Sequence, residues 1–137
     1  MSENTDIVIR KGTAEDAEVI SEIEEKCIRV PWSYESIRKD LEENKMARYF
    51  VAEAGGQTAG YVGIWNVWGE GDINNVAVLP EFRRCHIGTE LIKAMLDAGA
   101  EEGITAFTLE VRAGNEPALG LYRSFGLLDQ LLKLHRR

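Results

Sequence analysis

The feature that most constrains the fold is a change of hydrophobic period in the second half of the chain. Residues 72 to 79 have the apolar character of a strand and stop at Pro80, which has no N–H to give to a ladder. Ile87, Leu91, Ala94, Met95 and Ala98 then recur at helical spacing, and Gly103 stands where it can end the helix. Residues 105 to 111 return to strand character. A strand, a helix of about fifteen residues and another strand form a crossover, and a crossover joins a parallel pair. All-helical and purely antiparallel folds are thereby excluded, and the sheet must be mixed or α/β.

The upstream residues predict an antiparallel meander. Ile7-Val8-Ile9-Arg10 reads as an opening strand. Thr13 is placed to accept backbone N–H bonds at the start of a helix whose first turn carries Glu15 and Asp16. Ile20, Ile23 and Cys27 give that helix one buried face, so Cys27 is read as core rather than as a reactive thiol. Pro31-Trp32-Ser33 breaks the pattern, and Ser33 can cap a second, shorter helix ending near Glu43. Residues 48 to 53 and 58 to 68 are rich in β-branched and aromatic side chains, with Gly55-Gly56-Gln57 supplying a hairpin turn between them. A second turn is expected at Gly69-Glu70-Gly71, and a last helix from about Asn115 to Phe125, with Pro117 in its first turn.

The 137 residues, 45% hydrophobic and without repeat or linker, suit one domain spanning the whole chain. Lys and Arg number 16 against 23 Asp and Glu, and the net charge of -7 argues against direct binding to nucleic acid and favours a basic peptide or amine. The apolar stretches fall short of the roughly 20 residues of a membrane-spanning helix. The polar, acidic first residues lack the plan of a secretory signal, so the expectation is a cytoplasmic protein without membrane association. Cys27 and Cys85 are far apart, and His86 and His135 are not at metal-ligand spacing, so neither a metal site nor a disulfide framework is expected.

The segment Val76-Ala77-Val78-Leu79-Pro80-Glu81-Phe82-Arg83-Arg84-Cys85-His86-Ile87-Gly88-Thr89 joins a strand to a helix start through a loop with two arginines and a glycine. Free N–H groups and the helix dipole make such a junction an anion site, suited to a phosphate or pyrophosphate. The competing reading is an ordinary solvated loop with two surface arginines. The same segment resembles the acetyl-CoA loop of the GNAT superfamily of N-acetyltransferases, Arg/Gln-x-x-Gly-x-Gly/Ala, with Arg83 and Gly88 at the outer positions. The string Leu109-Glu110-Val111-Arg112-Ala113-Gly114-Asn115-Glu116-Pro117-Ala118-Leu119-Gly120-Leu121-Tyr122, followed by Phe125-Gly126, is similar to the signature of the bacterial ribosomal-protein-alanine N-acetyltransferases. Pro31-Trp32-Ser33 and Ile73-Asn74-Asn75-Val76-Ala77-Val78 match that subfamily as well, so the resemblance spans most of residues 6 to 126.

The resemblance implies a GNAT-type mixed sheet, an antiparallel meander followed by a βαβ crossover, and acetyl transfer from acetyl-CoA to an amine without a metal. It places the pantetheine arm along Val76, Ala77 and Val78, and the pyrophosphate among Arg84, Cys85, His86, Ile87, Gly88 and Thr89, with Arg83 in the loop motif and Asn115 touching the cofactor. An attacking α-amino group has a pKa of about 7.7 to 8.0 and must lose a proton, and the resemblance gives that task to Glu110. It gives protonation of the departing thiolate to Tyr122. The implied acceptor is a protein N-terminus, the alanine of a ribosomal protein. The alternatives are a small-molecule amine, or a degenerate fold that binds CoA and serves as an interaction module.

Several residues carry two readings. Glu110 also has the reading of a solvated carboxylate at a strand end, and Tyr122 that of a core aromatic on a helix. Arg112 serves a substrate or pairs with an acidic neighbour. Trp32, Tyr34, Trp65 and Trp68 line an acceptor groove or simply pack. The chain also departs from the family pattern at two places. His86 stands where the motif has glycine, and a Cβ there weakens cofactor binding unless the local backbone angles are ordinary ones. Leu127 replaces the phenylalanine of Gly-Phe, and residues 127 to 137 repeat their leucines at helical spacing where two further strands are expected. That tail predicts a short helix that covers the sheet edge or makes a homodimer contact.

Overall fold

A computed structural model describes residues 7–28, 31–82 and 86–109, with the backbone alone for residues 74, 75 and 106–109. The elements are β1 (Ile7–Lys11), α1 (Ala17–Cys27), α2 (Tyr34–Glu43), β2 (Ala47–Ala54), β3 (Gln57–Val67), β4 (Glu70–Val78), α3 (Ile87–Glu101) and β5 (Ala106–Leu109). The sheet runs β1-β2-β3-β4-β5, antiparallel from β1 to β4 and parallel between β4 and β5. The meander and the crossover are both present, and the fold is mixed α/β. The last helix expected from Asn115 and the tail from Leu127 lie outside the described residues.

Strand alternation sorts the side chains into two cores. Along β2, Tyr49 and Val51 face α1 and α2, with Ile20, Ile23, Ile37, Tyr61 and Ala77. Phe50 and Ala52 face α3, with Val62, Ile64, Ile73, Leu91, Ile92 and Met95. Each fully buried aliphatic side chain contributes about 1.5 to 3 kcal/mol, and the α3 core supplies most of the large ones.

Local sequence explains the element ends. Ser33 Oγ accepts the Ser36 N–H at 3.1 Å and caps α2, as the sequence predicts. After Thr13 the chain first makes a 3-10 turn, Ala14–Asp16, so α1 starts later than Thr13 suggests. Asp16 holds this entry: its Oδ2 accepts the Thr13 N–H at 2.8 Å, and its two oxygens take the Arg10 guanidinium at 2.9 and 2.7 Å. The hairpin between β2 and β3 turns at Gly55 and Gly56, φ 62° and 80°.

One expectation is corrected. The β3–β4 turn is made by Trp68 and Gly69, φ 56° and 87°, one residue before the expected Gly69-Glu70-Gly71, so that Glu70 and Gly71 already belong to β4. An Asn or Gly is the usual first residue of such a turn, and the tryptophan concealed it. β4 is also not uniform. Gly63 faces Asn75 while Ile64 faces Ile73, so Asn74 is an extra residue, a bulge. It explains why Ile73 and Val76, three positions apart, pack on the same face.

Candidate functional site

The end of β4 and the start of α3 carry the residues that the sequence resemblance assigns to the cofactor. Beyond the bulge, Val76, Ala77 and Val78 pair with Val62, Tyr61 and Gly60 of β3. Val76 is anchored in the α3 core and Ala77 in the opposite one. Close approach of the two strands requires a glycine, because a Cβ on Gly60 would stand 2.6 Å from the Ala77 carbonyl oxygen. Val78 is also tied to α1, whose Cys27 thiol donates to the Val78 carbonyl at 3.5 Å. Cys27 is half-buried against the α1–α2 core, in agreement with its reading as a packing residue.

His86 precedes α3 at φ 64°, ψ 17°, a left-handed conformation, and its side chain is exposed. These are not ordinary angles, so the position is one where the glycine of the motif would sit without strain. The first ladder donor of α3 is Glu90, whose N–H reaches the His86 carbonyl at 3.0 Å. The N–H groups of Ile87, Gly88 and Thr89 therefore have no partner inside the helix, and they stand at its positive end. Ile87 is buried and fixes this end to the core, whereas Gly88 and Thr89 are half-buried. A pyrophosphate fits such a terminus. Arg83, Arg84 and Cys85 lie outside the described residues.

On the other face of the sheet, two buried carboxylates hold four aromatic residues. Glu24, 1% exposed, accepts the Trp32 backbone N–H on Oε1 at 3.0 Å and the Tyr61 hydroxyl on Oε2. Asp40 Oδ2 accepts the Tyr49 hydroxyl at 2.7 Å and the Trp65 indole N–H at 2.9 Å. Tyr49 and Tyr61 stack at 6.2 Å, and Trp32 meets Trp65 edge to face at 6.3 Å. Burial raises the pKa of both phenols, reinforced at Tyr61 by the charge of Glu24 and at Tyr49 by the bond to Asp40. Both tyrosines therefore remain protonated donors.

Trp32 and Trp65 of the four aromatics named from the sequence come together. Tyr34 accepts from Arg38 at 2.7 Å, and Trp68, 95% exposed at its hairpin tip, joins neither. Glu110, Arg112, Asn115 and Tyr122 lie outside the described residues. The last described residue of β5, Leu109, pairs with Ile73 of β4. Sequence reasoning missed Glu24, Asp40, Tyr49 and Tyr61. The available signal was that Glu24 shares the Ile20 and Cys27 stripe, four residues after one and three before the other, where a solvated charge has no place.

Comparison with known proteins adds three likenesses to one family match. The family model described as Acetyltransferase (GNAT) family matches residues 17–127. A Bacillus subtilis protein assigned as a ribosomal protein bS18-alanine N-acetyltransferase is 37% identical over 123 residues, 90% of this chain and 82% of that one. The ribosomal protein bS18-alanine N-acetyltransferase of Escherichia coli is 30% identical over 113 residues, covering 81% of this chain and 74% of its own. The crystal structure of the Escherichia coli ribosomal-protein-alanine N-acetyltransferase superposes with a TM-score of 0.79 at 26% identity, over 88% of this chain and 77% of that one.

Proposed function

The chain belongs to the acetyltransferase (GNAT) family and is an acetyl-CoA-dependent N-acetyltransferase, and from this premise we propose that it acetylates the N-terminal alanine of a ribosomal protein in the cytoplasm. The observation that carries the acceptor is the likeness, over most of the chain, to relatives named for that substrate. The net charge of -7 is in keeping with a basic acceptor tail.

Bound acetyl-CoA supplies an acetyl thioester, and the protein's residues hold it and manage protons. The N–H groups of Ile87, Gly88 and Thr89, with His86 beside them, take the pyrophosphate; Arg83, Arg84, Cys85 and Asn115 complete the contacts. The backbone of Val76, Ala77 and Val78 takes the pantetheine arm in the manner of an added strand. Glu110 accepts the proton of the α-ammonium group, directly or through a water, so that the neutral amine can attack the thioester carbonyl. Tyr122 returns a proton to the departing thiolate.

The test is mass spectrometry of a basic peptide beginning with alanine, incubated with protein and acetyl-CoA. Acetylation at the N-terminus is expected, and Glu110→Gln and Tyr122→Phe should each lower turnover by roughly 10²- to 10⁴-fold with acetyl-CoA affinity unchanged. Acetyl-CoA binding without transfer to any N-terminal peptide would refute the proposal, and transfer to a polyamine instead would move the acceptor to small amines.

A further inference from the structure

The buried Glu24 has no part in the chemistry just described, yet it is tied to the site. It lies on α1, one side of its carboxylate on the Trp32 N–H of the α1–α2 connection and the other on the Tyr61 hydroxyl of β3. Tyr61 pairs with Ala77, in the middle of the strand segment assigned to the pantetheine arm. Three residues along the same helix, Cys27 reaches the Val78 carbonyl. The end of α1 and Trp32, close before α2, are thus fixed to the sheet beside the proposed cofactor strand, on the face opposite α3. Trp32 in turn meets Trp65, whose indole is held by Asp40 and whose strand partner is Asp72, beside Ile73 in the row that leads to Leu109.

We infer that Glu24 is a positioning residue for the acceptor: by holding the Trp32 N–H against the Tyr61 side of the sheet, it sets the Trp32–Trp65 pair as one wall of the groove that receives the first residues of the acceptor peptide. The inference rests on the peptide reading above. A carboxylate suits this place because it must accept from an amide and a phenol at once, and the phenol is a permanent donor here. Both Trp32 and Trp65 are half-buried, so each keeps part of its ring available after the pair has formed. An indole pair of this kind offers a flat apolar surface at low cost in side-chain freedom. A side chain as small as that of alanine can lie against it without displacing either ring.

The substitution to make is Glu24→Met, of similar length and without an acceptor, with Glu24→Gln as the conservative partner. Glutamine can accept from the Trp32 N–H on its amide oxygen as the carboxylate does, and so preserves the tether to Trp32. Glu24→Met should raise KM for the alanine peptide about tenfold, the loss of one hydrogen bond to a charged group, while kcat stays within about twofold and acetyl-CoA affinity is unchanged. Glu24→Gln should restore most of KM. Tyr61→Phe, which leaves the Trp32 bond in place, should change KM by less than about threefold.

Hydrogen exchange at the Trp32 amide gives a readout that needs no acceptor, and it should quicken in Glu24→Met but not in Glu24→Gln. An equal effect of Glu24→Met on KM, kcat and acetyl-CoA affinity would overturn the inference, because it would mean general structural damage. So would an unchanged KM, or an unchanged exchange rate at Trp32. If the wild-type protein leaves the peptide unmodified, the peptide reading falls and with it the acceptor groove, whereas quickened exchange in Glu24→Met would still stand as evidence that Glu24 holds the connection.

Discussion

Replacing His86 by glycine and, separately, by alanine isolates the backbone requirement at the mouth of α3. Both substitutions remove the imidazole, so whatever it contributes to cofactor or solvent cancels between them, and only the presence of a Cβ differs. His86 holds φ 64° and ψ 17°. A residue with a Cβ pays about 1 to 2 kcal/mol in this left-handed region. Glycine avoids that cost but has the more disordered unfolded chain, which takes back about 0.4 to 1 kcal/mol. The difference leaves His86→Gly more stable than His86→Ala by about 1 kcal/mol, or roughly 3 °C in Tm for a chain of this size. Urea unfolding of the two variants, followed by calorimetric titration with acetyl-CoA, measures both halves of the argument. If the free alanine variant relaxes to ordinary angles, it must recover the left-handed ones to present Ile87, Gly88 and Thr89 to the pyrophosphate. Its Kd should then be up to about fivefold weaker than that of the glycine variant. Equal or greater stability of His86→Ala would refute the reasoning, since it would show that no left-handed residue precedes α3.

Two further substitutions test the frame around the site. Gly60→Ala would place a Cβ 2.6 Å from the Ala77 carbonyl oxygen and 3.2 Å from the Val78 Cα, both backbone atoms, so β4 must shift. A loss of about 1 to 3 kcal/mol in urea unfolding and a weaker Kd for acetyl-CoA are expected, and neither changing would show that the strands have room. Asp16→Asn tests the β1–α1 entry through pH. The Arg10 guanidinium, against the opposing cost of burial, holds the Asp16 carboxyl below its ordinary value of 3.8 in the folded chain. Its stabilising contribution is therefore complete above that value and disappears as pH falls through the lower, folded one. The wild-type urea midpoint should fall more steeply than that of Asp16→Asn as pH is lowered from 5 to 2, and parallel curves would contradict the assignment.

How much of this was legible in the sequence depended on whether a feature repeats. The crossover and the helices α1 and α3 write themselves as apolar residues at fixed intervals, and Ser33 and the paired Gly55 and Gly56 mark ends that depend on one local interaction. Their positions in the structure agree with the sequence to within a few residues. The bulge at Asn74 repeats nothing: one extra residue inverts the facing of everything after it, and only the pairing with β3 reveals which residue is extra. The turn at Trp68 was hidden for a related reason, since a large aromatic occupies a position where turn chemistry leads one to look for asparagine or glycine.

The two sides of the site differ in the same way, and the difference has a physical origin. On the side proposed for the cofactor the work falls to backbone groups, at the end of β4 and the start of α3, so the sequence needs only spacing, a glycine and a helix start to suggest it. His86 could depart from the motif there without erasing the signal. On the opposite side the work falls to side chains brought together from α1, α2 and β3, where Glu24 meets Tyr61 and Trp32, and Asp40 meets Tyr49 and Trp65. No spacing links residues 24, 40, 49 and 61, and acidic side chains on helices ordinarily read as solvated. A buried carboxylate is nevertheless costly unless its acceptor capacity is used, and here Glu24 accepts from Trp32 and Tyr61, and Asp40 from Tyr49, Trp65 and the Asn44 amide. That requirement makes the proposed acceptor wall sensitive to the loss of a single side-chain acceptor, whereas the proposed backbone cradle is sensitive where a Cβ would meet backbone, as at Gly60. Changes of acceptor among proteins of this architecture should therefore be sought first around the carboxylates and the aromatics they hold.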